Sequence, residues 1–249
     1  MNTRCLLDQL LAPGSLRAEF QPVFQVSATR PPVHYLEGLL RGPAGSNVER
    51  PEVLFAYARR KRAEVAMDRA SLITVLSAAR ALGDVSIGVN VHATTLAVDL
   101  QFLPFLWDVL METGIEARRL VLEVVEHGHV WDRRVLGFNL DGLRRLGVRL
   151  ALDDFGTGEA NYLMLLECRP DYLKVDRYFV HGCHTDARRQ AVLDSLAGLA
   201  GRVGGRVIAE GIETLGELDR VRSAGIELAQ GFLLGRPGPA AGWPMAACS

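Results

Sequence analysis

The chain has 249 residues, 49% of them hydrophobic, and a formal net charge of −1. This balance excludes a bulk electrostatic attraction to nucleic-acid polymers or to anionic membranes. No apolar run approaches the roughly 20 residues that cross a bilayer, so we expect no direct membrane insertion. Asp8 interrupts the apolar residues near the N-terminus, which argues against a signal peptide. The length suits a single (β/α) barrel domain spanning residues 1–249.

The four cysteines lack the spacing of metal ligands; they are Cys5, Cys168, Cys183 and Cys248. We interpret them as reduced thiols and expect a cytoplasmic protein.

In chain order, eight short segments have the apolar or β-branched content and the turn boundaries of strands. They are Glu19–Gln25, Val33–Leu40, Val85–Val91, Arg119–Val125, Val148–Asp153, Tyr172–Asp176, Arg206–Glu210 and Glu227–Phe232. Segments with helical periodicity separate most of them. These are Asp68–Leu82, Leu100–Glu112, Trp131–Leu146, Ala187–Val203 and Leu215–Ser223. This alternation predicts a mostly parallel sheet with helices outside, and eight strands predict its closure into a barrel.

The first connection breaks the alternation. Only residues 26–32 separate the first two predicted strands. A parallel crossover needs about a dozen residues or more, so these strands should form an antiparallel hairpin. We therefore predict an α/β fold, a TIM-like (β/α)8 barrel with the first strand antiparallel to the rest.

Two adjacent carboxylates, Asp153 and Asp154, follow the apolar run that ends at Leu152. Like charges side by side are hard to keep ionised unless a cation lies between them. Gly156 and Gly158 come directly afterwards and allow a sharp turn or a close approach to a ligand. This motif predicts a divalent-metal site at the mouth of the barrel.

Polar residues also stand at or near the ends of other predicted strands. They are Glu37, Asn90, Glu123, Glu126, Lys174, Glu210 and Gln230. Each alone is explained by solvation or by helix capping. Together they place several carboxylates at the mouth from which barrel enzymes draw their catalytic groups. All-oxygen ligands suit Mg²⁺ or Mn²⁺, and a pair of such ions performs in-line attack of water on phosphodiesters.

Lysine is rare in this chain, because only Lys61 and Lys174 occur among its 28 basic residues. Lys174 lies in an apolar strand, where a compact ammonium is not equivalent to a broad guanidinium. Chance is an equally good explanation of this feature on its own.

The ordered motifs resemble those of the EAL domain, a bacterial phosphodiesterase of cyclic di-GMP. The resemblance covers about residues 15–240. It is carried by Phe20-Gln-Pro-Val-Phe24, Glu37-Gly-Leu-Leu-Arg41, Val89-Asn-Val91, Leu122-Glu-Val-Val-Glu126, Asp153-Asp-Phe-Gly-Thr-Gly158, Leu173-Lys-Val-Asp176, Ala209-Glu-Gly-Ile-Glu213 and Gln230-Gly-Phe232.

The resemblance implies hydrolysis of cyclic di-GMP to linear pGpG with two Mg²⁺ or Mn²⁺ ions, and inhibition by Ca²⁺. It assigns metal binding to Glu37, Asn90, Glu123, Asp153 and Asp154, with Asp153 bridging. It makes Lys174 and Glu210 catalytic, through orientation and deprotonation of the attacking water. It implies substrate binding by Gln21, Arg41, Glu213 and Gln230, and anchoring of the loop after Asp154 by Glu126.

Two departures from the family pattern concern the surroundings of the site. Gly42 stands where many members carry Trp, which we expect to loosen one wall of the substrate groove. Glu159-Ala160-Asn161 stands where many members have Tyr-Ser-Ser, in a loop that in the family couples metal binding to the dimer interface. A homodimer is therefore an open expectation.

Two alternatives remain at this point. One is a catalytically weak or inactive EAL module that acts as a cyclic di-GMP receptor or a protein-interaction domain. The other is a barrel that uses one Mg²⁺ on an unrelated substrate, which the fold alone permits. No predicted metal ligand is missing from the chain, and this favours the enzyme.

Overall fold

The computed structural model describes residues 5–28, 30–125, 132–157 and 161–243. Its eight strands close into a barrel in sequence order. They are β1 (Arg17–Gln25), β2 (Val33–Arg41), β3 (Ile87–His92), β4 (Leu120–Val125), β5 (Arg149–Phe155), β6 (Tyr172–Val175), β7 (Arg206–Ala209) and β8 (Leu228–Ala229).

Strand orientation confirms the predicted barrel. β1 pairs antiparallel with both β2 and β8, whereas every other neighbouring pair is parallel. The short hairpin connection forces this reversal, as expected. The last strand is much shorter than predicted, because pairing with β7 ends at Ala229 and the chain then turns.

Ten α-helices lie in the described part of the chain. They are α1 (Leu6–Leu10), α2 (Pro51–Arg60), α3 (Glu64–Ala79), α4 (Ala93–Val98), α5 (Phe102–Thr113), α6 (Arg133–Leu146), α7 (Asn161–Cys168), α8 (Arg177–Val180), α9 (Ala187–Val203) and α10 (Leu215–Ser223). The bounds of α9 and α10 agree with the sequence prediction. No helix among these residues combines the length and the apolar character needed to cross a membrane.

The helix α2 was not predicted. Pro51 occupies its first turn, where the missing N–H costs no hydrogen bond. Only Leu54 and Ala58 of this helix are buried. Because the apolar face is so narrow, the sequence of α2 has little helical periodicity of apolar residues.

The barrel interior contains one compact apolar layer. It is formed by Val23, Tyr35, Val121, Ala151, Tyr172, Ile208 and Leu228. A much larger cluster fills the space between the strands and the surrounding helices. Because side chains alternate along a strand, the residue two positions further on also faces the interior. That rule decides which side chains occupy the mouth of the barrel.

Candidate metal centre and active site

One polar side chain from every strand, or from the residue just after it, forms a second layer above the apolar one. Its members are Gln21, Glu37, Asn90, Glu123, Asp153, Lys174, Glu210 and Gln230. Seven of them lie two positions from a residue of the apolar layer, and Asn90 lies two positions from Gly88. Period-two alternation therefore gathers the predicted catalytic residues and most of the predicted metal ligands in one place.

Lys174 lies at the centre of this layer and is almost completely buried, with 1% of its side chain exposed. Its Nζ is 2.5 Å from Glu123 Oε2, 2.8 Å from Glu210 Oε1 and 2.9 Å from Asp153 Oδ1. A fourth carboxylate oxygen, Glu37 Oε2, is 3.4 Å away. The ammonium thus joins acidic residues of four strand ends, as a compact cation can and a guanidinium cannot.

Two amide side chains orient Glu37. Asn90 Nδ2 donates to Glu37 Oε1 at 2.9 Å, and Gln230 Nε2 donates to Glu37 Oε2 at 2.8 Å. Gln21 lies in the same layer but donates to the carbonyl oxygen of Gly235 at 3.0 Å. Gln21 therefore ties β1 to the loop after β8.

The carboxylates of the layer differ in pKa because their surroundings differ. Burial raises the pKa of Glu37, but the charge of Lys174 and hydrogen bonds from Gln230 and Asn90 outweigh it, so the net pKa is lowered. Burial and the neighbouring charge of Glu37 raise the pKa of Glu123 to about 8. Burial raises the pKa of Glu210 well above its ordinary range. The carboxyl groups of the layer therefore differ in proton affinity, with the pKa of Glu37 below its ordinary value and that of Glu123 far above it.

Asp154 adopts a left-handed backbone conformation, with φ of +50°. The pairing of β5 with β6 shifts register between Leu152 and Phe155, so Asp154 sits in an irregularity within the strand. The predicted strand end at Asp153 is therefore two residues too early. Desolvation and the adjacent charge of Asp153 raise the pKa of Asp154 to about 6.

A group of three carboxylates has the spacing of a metal site. One oxygen each from Asp153, Asp154 and Glu210 lies within 4.8 Å of the others. Deeper in the layer, Asn90 Oδ1 and Glu123 Oε1 are buried without a hydrogen-bond partner among the described residues. Four acidic side chains contact the single ammonium of Lys174, so their full ionisation leaves excess negative charge. Unpaired buried oxygens and excess negative charge fit a hard divalent cation.

Arg41 lies at the rim rather than in the layer. Its Nε donates to Glu19 Oε2 at 2.9 Å, a partner that the sequence analysis missed. The two residues line a cavity of about 500 Å³ together with residues 49–52. Beside Arg41, a Cβ on Gly42 would lie 2.1 Å from the Val48 carbonyl oxygen, so backbone fills the space where we expected a looser wall.

Glu213 also lies outside the layer. Its carboxylate is half-exposed and 4.0 Å from Arg177 Nη2. Its backbone N–H donates to the buried Glu217 carboxylate at 2.9 Å, which also accepts from Gly182 N. Glu217 thus fixes the loop that carries Glu213. The motif Thr214-x-x-Glu217 is a capping box that could have been found in the sequence.

Some predictions concern residues that the structure does not describe. Glu126, Gly158, Glu159 and Ala160 lie outside the described residues, as does the side chain of Asn161. The turn at Gly156 is described, with φ of +102°, and a Cβ there would lie 2.7 Å from the Phe179 ring. Gly156 therefore serves both the turn and close packing.

Comparison with known proteins finds similar sequences and similar solved structures. The chain is 29% identical over 237 residues to the probable cyclic di-GMP phosphodiesterase PdeN of Escherichia coli, covering 88% of this chain and 43% of that protein. A solved structure described as the PaMucR phosphodiesterase in complex with c-di-GMP superposes with a TM-score of 0.80 at 28% identity, covering 92% of this chain and 99% of that one. A manganese and cyclic di-GMP complex of Klebsiella pneumoniae BlrP1 superposes with a TM-score of 0.80 at 29% identity, covering 93% and 58%.

The chain spans less than half the length of the curated relatives it matches, from 15% to 43%. The family model of the EAL domain matches residues 4–237, which is nearly the whole chain. The polar layer at the mouth of the barrel lies entirely within this match. The chain therefore belongs to the EAL domain family.

Proposed function

We propose that this chain is a metal-dependent phosphodiesterase that hydrolyses cyclic di-GMP to linear pGpG. The observation that carries the proposal is the polar layer, where Lys174 lies with four of the five predicted metal ligands. The fifth, Asp154, offers an oxygen within 4.8 Å of oxygens of Asp153 and Glu210. Support also comes from relatives named as cyclic di-GMP phosphodiesterases and from the named complexes with that nucleotide.

Glu37, Asn90, Glu123 and Asp153 would hold one divalent ion, and Asp153 with Asp154 would hold a second. Mg²⁺ and Mn²⁺ are the ions we propose, since both accept carboxylate and amide oxygens. When bound, such ions polarise a phosphoryl oxygen and make water a stronger nucleophile. Asn90 Oδ1 and Glu123 Oε1, which have no hydrogen-bond partner in the described part of the chain, would serve as ligand atoms.

The side chains of the chain would then position and activate the water. Lys174 Nζ lies 2.5–2.9 Å from three acidic oxygens and would orient the water oxygen toward phosphorus. Glu210 would accept the proton, because burial raises its pKa and makes it a stronger base than a solvated carboxylate. The water oxygen forms a bond to phosphorus and the P–O3′ bond breaks, leaving a 5′-phosphate and a 3′-hydroxyl. Arg41 would contact a substrate phosphate from the rim.

The direct test uses the purified chain with cyclic di-GMP and Mn²⁺, followed by chromatography and mass spectrometry of the products. We expect pGpG in the presence of Mn²⁺ and none after EDTA treatment. Binding of cyclic di-GMP without turnover would overturn the enzymatic proposal and favour a receptor. Absence of both binding and turnover would overturn cyclic di-GMP as the ligand.

We also propose that the chain forms a homodimer. Support comes from α7, where Tyr162 and Leu166 are 67% and 71% exposed. Apolar side chains this exposed on one short helix are typical of an interaction surface. Light scattering across a range of protein concentrations tests the proposal, and a monomer at every concentration would contradict it.

A further inference from the structure

A tyrosine hydroxyl is buried directly beneath the polar layer. Tyr35 is fully buried in β2, two residues before Glu37, and its ring belongs to the apolar layer of the barrel interior. Tyr35 Oη has no hydrogen-bond partner among the described residues. A buried hydroxyl without an acceptor is costly, so the nearest acceptor is informative.

A carboxylate close to the Tyr35 ring is that of Glu123, whose Oε1 is also buried and has no hydrogen-bond partner among the described residues. The other oxygen, Oε2, is 2.5 Å from Lys174 Nζ. Glu123 lies on β4, beside β3, and β3 separates it from β2 and Tyr35. A contact between Tyr35 and Glu123 inside the barrel therefore has to pass over β3.

Gly88 on β3 makes this crossing possible. A Cβ on Gly88 would lie 2.2 Å from Glu123 Oε1 and 2.7 Å from Tyr35 Cε2. The tyrosine ring and the carboxylate thus occupy the space that a side chain at this position would take. Real Cβ atoms do not approach other atoms so closely, so even alanine would force one of the two groups to move.

We propose that Tyr35 is a positioning residue for the metal site, which donates a hydrogen bond from Oη to the Glu123 carboxylate across Gly88. The inference rests on the proposed function, in which Glu123 is a metal ligand. Outer hydrogen bonds of this kind hold a ligand in its binding orientation before the ion arrives. A phenol hydroxyl is protonated at neutral pH, so Tyr35 has a proton to donate.

The test is a Mn²⁺ titration of the nucleotide-free full chain by calorimetry. Tyr35→Phe keeps the ring and removes only the hydroxyl, and we expect the Kd for Mn²⁺ to rise roughly 10- to 100-fold. The Mn²⁺ concentration for half-maximal turnover should rise in parallel, while kcat at saturating Mn²⁺ stays near the wild-type value.

Tyr172→Phe is the matched control. Tyr172 lies in the same apolar layer with its ring centroid 6.0 Å from that of Tyr35, but its hydroxyl is paired with His34 Nε2 and Arg149 Nη1, both at 2.9 Å. We expect Tyr172→Phe to leave the Kd for Mn²⁺ unchanged. Gly88→Ala, checked for folding by its melting curve, should weaken Mn²⁺ binding as Tyr35→Phe does.

A Kd for Mn²⁺ in Tyr35→Phe within about twofold of wild type would overturn the inference, because an orienting bond is worth more than that. Equal weakening by Tyr172→Phe would also overturn it, since a general loosening of the interior would then suffice. The titration needs no substrate, so it can separate the two proposals. If Tyr35→Phe binds Mn²⁺ more weakly and the wild type shows no turnover, this inference is supported and the proposed function is refuted. Failure of the wild type to bind Mn²⁺ would refute both.

Discussion

Lys174 Nζ lies 2.5 Å from Glu123 Oε2 inside the barrel, and at most 1% of either side chain is exposed. A buried ammonium needs acidic groups around it, because without them its charge is uncompensated. Here the ammonium also neutralises part of the charge of three further carboxylates. The residue proposed to orient water therefore also keeps the acidic layer together.

Replacement of this ammonium by a guanidinium should greatly reduce kcat. In Lys174→Arg, the larger planar group cannot fit among oxygens that lie within 2.5–2.9 Å of Nζ. We expect kcat to fall at least about 100-fold, the loss typical of a group that assists proton transfer. The matched control is Lys61→Arg, because Lys61 is exposed and follows α2. A near-normal kcat in Lys174→Arg would show that a compact ammonium is not required.

Removal of a proposed metal ligand should abolish turnover. Glu37→Ala removes a buried carboxylate and leaves the amides of Asn90 and Gln230 without their acceptor. We expect no measurable pGpG and a large rise in the Kd for Mn²⁺. Glu116→Ala is the control, because Glu116 is exposed and pairs with Arg118 rather than with the layer. Retention of most activity in Glu37→Ala would refute the assignment of Glu37 as a ligand.

Metal affinity should increase with pH. The metal-free protein keeps a proton on Glu123 up to its pKa of about 8, and an ion must displace that proton. The Kd for Mn²⁺ should therefore fall as the pH rises from about 6 to about 9. A Kd that is constant across this range, measured by calorimetry, would contradict the raised pKa.

The same pKa shift predicts a change of stability in the absence of metal. Between the ordinary glutamate pKa and about 8, folded Glu123 binds a proton that the unfolded chain has released. The contribution of Glu123 to the free energy of unfolding therefore falls as the pH rises through this window. Melting curves of the metal-free wild type and of Glu123→Gln should differ in slope against pH, and parallel curves would contradict the prediction.

Calcium should bind at the same oxygens and inhibit turnover. Ca²⁺ prefers longer bonds and more ligands than Mg²⁺, so it would disturb a site arranged for the smaller ion. We expect pGpG formation in Mn²⁺ to decrease as Ca²⁺ is added and to recover with excess Mn²⁺. A kcat in Ca²⁺ alone equal to that in Mn²⁺ would contradict this expectation.

A side chain at position 42 should lower the free energy of unfolding. In Gly42→Ala the new Cβ would lie 2.1 Å from the Val48 carbonyl oxygen, so the backbone of the rim has to shift. We expect a loss of about 1–3 kcal/mol in the free energy of unfolding, measured with urea. Gly137→Ala in α6 is the control, since no atom lies within 4 Å of its Cβ position, and it should stabilise the helix by about 0.5–1 kcal/mol. Equal stability of both variants would show that the rim adapts freely.

Much of the fold could be predicted because it depends on local patterns. Periodicity and turn residues placed eight strands, and the short connection after Gln25 was enough to reverse the first one. The prediction was weakest where local signals are weak, as in α2, which buries only Leu54 and Ala58. It also missed the irregularity at Asp154, because a shift of register depends on the partner strand.

The sequence by itself determined which polar residues share the barrel interior, because strand side chains alternate with period two. Only the tertiary structure decided which of them meet. Barrel closure brings Lys174 among acids of four other strands and places both Glu123 and the Tyr35 ring against Gly88. These contacts depend on the register between strands that are distant in the chain. The alternation of side chains within one strand does not specify that register.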